Sequence, residues 1–130
     1  MMVVDASALL EVLLGTSSGA AVEERIFASG ETLHAPYLLD IEIAQVLRRY
    51  AASGQVGAER GRLALVDLTD LPMHRYPHDF LLPRIWALRH NLTAYDATYV
   101  ALAEALDAPL LTRDRHLAAA PGHQARIELA

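Results

Sequence analysis

Four carboxylates stand where chemistry would need them. Asp5 closes the apolar run of MMVVDAS, and Glu42 sits in the early turns of the helix-forming stretch APYLLDIEIAQVLRR. Asp96 heads the alanine-rich LTAYDATYVALAEAL, and Asp114 follows a short apolar run in LLTRDRHL. Taken singly, each has an ordinary explanation. An acid in the first turn of a helix opposes the positive end of the helix dipole, and an aspartate after a strand is a common turn residue. Gathered in one crevice they would repel one another, and at least one would hold its proton well above about pH 4. A hard divalent cation with oxygen ligands, Mg²⁺ or Mn²⁺, removes that repulsion. A cation so held activates water and stabilises charge on a displaced phosphate. Ser7 and Thr112 are placed to steady the acids or waters around such an ion; capping of the local backbone explains them equally well.

The elements that must position these acids follow from short apolar runs and their punctuation. Residues 2–5, 32–35, 73–76 and 109–112 read as buried parallel strands, and 126–129 as a strand closing one edge. They are too short for useful alternation, so length and flanking residues decide. Helices are expected over 6–14, from the breaker-rich Gly15-Thr16-Ser17-Ser18-Gly19 to about 28, and over 38–52, 57–71, 79–90 and 94–106, with Thr93 as N-cap of the last. Strands alternating with helices make an α/β domain with a mostly parallel sheet. In such sheets ligands bind at the carboxyl ends of the strands, where Asp5, Glu42 and Asp114 all fall. Asp96 joins them if its helix begins at that edge.

At 130 residues, with 53% hydrophobic and 21% charged, the chain is expected to form one well-cored domain, 1–130. Without cysteine there is no disulfide, thiol nucleophile or zinc–thiolate site. The opening residues lack a basic region ahead of an apolar stretch, and no apolar run is long enough to span a bilayer, so a cytoplasmic protein without a membrane partner is expected. The net charge of −5 argues against coating nucleic acid by charge alone. All 11 basic residues are arginine. Arg48, Arg49, Arg113 and Arg115 suit phosphates, and the last two flank Asp114.

Several patterns mislead. GTSSG satisfies the G-x-S-x-G nucleophile elbow, but a helix rather than a strand precedes it. MHRYPHD gathers His74, His78 and Asp79 across a proline turn, which denies the two histidines a shared helical face; surface or half-buried histidines are expected. Gly54, Gly57 and Gly61 follow no strand and make no phosphate loop. Trp86 is expected in the core.

VVDAS, PYLLDIE with Glu42 six residues after Pro36, YDATYVALAEAL and LLTRDRHL together resemble a PIN-domain ribonuclease of the VapC type, the toxin of a bacterial type II toxin–antitoxin pair. The resemblance spans nearly the whole chain in order and spacing. It implies a three-layer α/β/α fold with about five strands and an acidic pocket for Mg²⁺ or Mn²⁺. It further implies endonucleolytic cleavage of RNA, an antitoxin partner laid across the groove, and a homodimer. The family's acids fall on Asp5, Glu42, Asp96 and Asp114, its supporting hydroxyl on Thr112 and more loosely on Ser7. Groove candidates at helical spacing are Leu39, Ile43, Val46 and Tyr50, which plain core packing explains as well.

Two other classes compete. Haloacid-type phosphatases and receiver domains also place an aspartate at a strand end with Mg²⁺. The phosphatase needs a second aspartate where this chain has Ser7, and both need a lysine, which the chain lacks. A catalytically silent PIN-like module that binds RNA or a partner would show metal-independent binding and no cleavage.

Overall fold

A computed structural model describes all residues, 1–130. Five short strands form one parallel sheet: β1 (Met2–Val4), β2 (Leu33–Pro36), β3 (His74–Tyr76), β4 (Leu110–Thr112) and β5 (Ile127–Leu129), in the order β3-β2-β1-β4-β5. The inner runs β1, β2 and β4 are buried throughout, as expected of strands covered on both faces. Each strand falls within a residue or two of its expected place, and all four pairings are parallel.

The helices are α1 (Ala6–Leu13), α2 (Ala20–Ile26), α3 (Leu38–Ser53), α4 (Ala58–Asp70), α5 (Leu82–Ala87), α6 (Ala94–Leu106) and α7 (Arg115–Ala119). Their ends follow local chemistry. Asp5 caps α1 by accepting from the Ala8 N–H, and Thr93 caps α6 by accepting from the Asp96 N–H. Gly54 ends α3 at φ 80°, a left-handed position that a side chain would strain.

Chain order and handedness together make three layers. From β1 the chain steps outward through β2 to β3, then returns past β1 to β4 and β5. Right-handed crossovers then place α1–α4 on one face and the return helices on the other. In agreement, α1, α2, α3 and α4 pack together, α5 packs on α6, and α6 lies against β1 and β2. The direction of travel reverses between β1 and β4, and a parallel sheet opens a crevice at such a point.

The structure corrects three expectations. The helix expected over 79–90 is a 3₁₀ turn, Asp79–Leu81, followed by the six-residue α5 with Pro83 near its start. So short a helix buries little: Leu81 and Leu88 at its ends are buried, and Trp86 is 68% exposed rather than core. Arg89 lies over its ring, 4.5 Å from the centroid. Finally, α7 was not anticipated; Asp114 starts it by accepting from the His116 and Leu117 N–H groups. No helix is long and apolar enough to cross a membrane.

Candidate active site

Asp5 follows directly on β1 and Asp114 comes two residues after β4, adjacent strands on either side of the reversal. Glu42 projects from the second turn of α3 and Asp96 from the first turn of α6. All four line one groove of about 570 Å³, together with Ser7, Gln45, Arg49, Tyr95 and Tyr99. The sequence expectation that the acids share one edge is met.

Asp5 is the most constrained, at 5% exposure. Its Oδ1 accepts from Ser7 Oγ at 2.7 Å and the Ala8 N–H at 3.0 Å, and its Oδ2 accepts from Thr112 Oγ1. Ser7 Oγ accepts from the Arg113 N–H and Thr112 Oγ1 from the Asp114 N–H, both at 3.0 Å, and the two hydroxyl oxygens lie 3.3 Å apart. Each hydroxyl keeps its own proton to give, and the shorter contacts direct it to Asp5 rather than to the other hydroxyl. Backbone amides at the end of β4 thus fix a carboxylate at the end of β1.

The other acids are freer. Glu42 Oε1 accepts from the Tyr99 hydroxyl at 2.6 Å, leaving Oε2 open. Asp114 spends Oδ1 on capping α7 and leaves Oδ2 open. The Asp96 side chain makes no hydrogen bond; its N–H is satisfied by Thr93. Capping holds for Asp5 and Asp114 and leaves room for a role in the groove, since one carboxylate has oxygens enough for both.

Electrostatically the groove is frustrated. Burial pushes the Asp5 carboxyl up, against the bonds from Thr112, Ser7 and Ala8 that favour its anion, and the Asp114 charge pushes the same way as burial. Burial also raises Glu42, opposed by the Tyr99 bond and aided by the charges of Asp96 and Asp5. Asp96 rises through burial, then through Asp114 and Asp5. Burial and then the Glu42 charge drive the Tyr99 phenol far above its ordinary range, so it remains a donor. Every ion pair of the protein lies elsewhere, and none includes a groove acid.

The donor set fits a hard cation in its chemistry: carboxylate oxygens only, partly desolvated, several free of hydrogen bonds, and no ion-pair partner. It is not drawn into a finished ligand shell, because no three His, Asp or Glu groups converge to metal-holding distance. Mutual repulsion accounts for acids that share a groove without closing on its centre.

Other expectations divide. Leu39 and Ile43 are fully buried core. Val46 does line the groove, where the apolar wall is otherwise Leu10, Leu38, Ile41 and Tyr95, and Tyr50 only packs against the core. Arg113 borders Ser7 through its backbone, but its guanidinium donates to the Ser18 carbonyl, while Arg115 is exposed. His74 is exposed, and His78 Nε2 accepts from the Leu38 N–H at the start of α3. Sequence reasoning missed Tyr99; its one signal is a phenol a turn after Asp96 on an otherwise apolar helix.

Comparison with known proteins gives a consistent result. Residues 2–122 match the PIN domain. Ribonuclease VapC1 of Mycobacterium tuberculosis is 47% identical over 128 residues, covering 98% of this chain and 96% of that protein. Among solved structures, PAE2754 from Pyrobaculum aerophilum superposes with a TM-score of 0.70 at 28% identity, covering 97% of this chain and 81% of that one. A toxin–antitoxin complex from Klebsiella pneumoniae has a chain matching the fold with a TM-score of 0.63 at 19% identity, covering 92% of each chain.

Proposed function

The chain belongs to the PIN-domain family, and from that premise we propose that it is a metal-dependent endoribonuclease, the toxin of a type II toxin–antitoxin pair acting in the cytoplasm. The observation that carries this reading is the groove itself: four carboxylates from β1, α3, α6 and β4 line it, and none has an ion-pair partner. The VapC1 relative, named a ribonuclease, supports it over nearly the full chain.

Asp5, Glu42, Asp96 and Asp114 would hold Mg²⁺ or Mn²⁺. When bound, such an ion supplies a water of lowered pKa and offsets charge on the displaced phosphate oxygen. Ser7 and Thr112 aim the Asp5 carboxylate through their hydrogen bonds and favour its anion against the effect of burial. Asp96 and Asp114 present open oxygens at the strand ends, where a phosphodiester would lie. Arg49 on the groove wall, with Arg48 next to it in sequence and Arg115 one residue after Asp114, would give the RNA backbone cationic contacts.

The antitoxin belongs to the same proposal. Ile41 and Tyr95, 70% and 63% exposed, flank the acids with Leu38 and Val46, giving an apolar strip beside a negative pocket. A helix or extended segment with apolar anchors and one arginine fits that surface. Homodimerisation is proposed on the exposed Phe80, Leu82 and Trp86 around α5; sedimentation of the wild type against Trp86→Ser tests it.

The activity is tested without guessing a substrate. Purified protein is incubated with total bacterial RNA in Mn²⁺, in EDTA, and as Asp96→Asn, and new 5′ ends are mapped. Discrete ends that require Mn²⁺ and vanish in the variant are expected. RNA that is bound equally well in EDTA and never cut would replace the nuclease reading with that of a binding module.

A further inference from the structure

Tyr99 is among the largest fully buried side chains, at 2% exposure, yet its hydroxyl does not end in the core. It reaches the floor of the acidic groove, where its single hydrogen bond goes to Glu42 Oε1 at 2.6 Å. The contact joins two layers of the site. Tyr99 and Asp96 stand three residues apart on α6, on one helical face, while Glu42 comes from α3. A glutamate has three side-chain torsions, and in a half-open groove no second hydrogen bond restrains this one: its other oxygen accepts none. The tyrosine ring, by contrast, is immobilised by the core and has one rotatable proton to give.

We propose that Tyr99 is a positioning residue of the site: its buried hydroxyl holds the Glu42 carboxylate in one rotamer, with Oε1 tied to α6 and Oε2 turned to the groove for a divalent cation or its water. The inference rests on the metal-dependent reading above. Asp5 and Glu42 are then held in the same manner, each by hydroxyls from a neighbouring element. Asp5 has two such donors fixed in turn by backbone amides, and Glu42 has one fixed by packing. Phenylalanine at position 99 would fill the core equally well, so the hydroxyl itself is the feature to be explained, and a purely structural account does not need it.

The test uses the full-length protein and Mn²⁺ as the probe, with binding read by titration calorimetry rather than by activity. Tyr99→Phe, Glu42→Ala and the double variant are compared with wild type, and unfolding in EDTA checks each fold. Tyr99→Phe is expected to weaken Mn²⁺ binding by about tenfold, the usual cost of losing a partner that orients a ligand. In the Glu42→Ala background the same change should cost nothing further. Glu42→Asp, which keeps the charge but withdraws it from the phenol, should show a comparable loss without touching the core. Equal affinity for wild type and Tyr99→Phe would overturn the inference alone, as would an undiminished effect in the Glu42→Ala background. A wild type that takes up no Mn²⁺ would overturn the metal-dependent reading and this inference with it.

Discussion

The acids of the groove and the acids outside it are treated in opposite ways. At the amino-terminal edge, Glu31 just ahead of β2 takes the N-terminal amine at 2.8 Å and Arg25 at 2.7 Å, and Arg25 also holds Glu128 of β5 through Nε and Nη2. On the return face, Glu104 of α6 is gripped by both arms of Arg84 and accepts the Gln124 N–H. At the carboxyl-terminal edge, four acids face one groove and no arginine answers them. The chain has 11 arginines and could have supplied one. The difference separates carboxylates that serve the fold from carboxylates kept available at a cost to it. The first kind have their proton affinity lowered by a partner, as at Glu31 and Glu104. Of the second, Asp5, Glu42 and Asp96 have it raised by burial and by neighbouring acids.

The sharpest way to break this contrast is to neutralise one acid on each side. Asp96→Asn or Asp5→Asn should lower RNA cleavage by more than about 100-fold, beyond what loss of an orienting partner costs, with the fold intact by circular dichroism. Glu104→Gln should leave the cleavage rate unchanged and lower stability by about 1 kcal/mol, read by urea unfolding. Equal loss of activity from both substitutions would erase the distinction.

Metal removal gives the next largest effect. A cation that binds only the folded protein adds about 2.7 kcal/mol when present at a hundred times its dissociation constant. Mn²⁺ should therefore raise the melting temperature of the wild type relative to EDTA, and raise that of Asp96→Asn far less.

Acidity separates the two sets by sign. Asp5, Glu42 and Asp96 have folded values raised above the ordinary 3.8 for aspartate and 4.5 for glutamate. The metal-free folded protein thus keeps protons there that the unfolded chain has released, and these groups withdraw stability as pH rises through that window. Glu31 and Glu104 have lowered values, so their contribution is present above about pH 4.5 and lost as pH falls. In EDTA, Asp96→Asn should gain stability relative to wild type as pH rises from about 4 to 7; a constant difference between the two unfolding curves would show that Asp96 is not under strain. The smallest effect is expected at the exposed Glu59–Arg62 pair, where Glu59→Gln should leave melting temperature and cleavage unchanged.

Much of this was legible because parallel strands need little text. MVV, LHAP and LLT are short, largely apolar runs, and each ends within a residue or two of where length and punctuation place it. The acids were legible for the same reason: once the strand ends are known, the carboxyl edge is known. What failed was whatever depended on how much surface an element covers. An apolar stretch around Trp86 looks like core until the helix proves too short to turn that residue inward. Leu39 and Ile43 share α3 with Glu42, but burial belongs to one face and the groove to the next. Asp114 hid α7 because an acid at a strand end already had an explanation, and its second use as a cap was not needed to account for it. Tyr99 was hard to see because its ring packs as phenylalanine would, and only the hydroxyl one turn after Asp96 sets it apart.

The reversal of direction between β1 and β4 bears on the moment at which the protein becomes dangerous. Asp5 is made early and waits for Thr112, whose hydroxyl, with that of Ser7, fixes it, while Asp96 and Asp114 arrive in the last third of the chain. Chains emerge from the ribosome amino end first, so Asp5 and Glu42 exist well before the elements that complete the groove. On the proposed reading, a ribonuclease built in this order has no complete set of groove acids until Asp114 of 130 residues has been translated. The topology that makes the crevice also delays it.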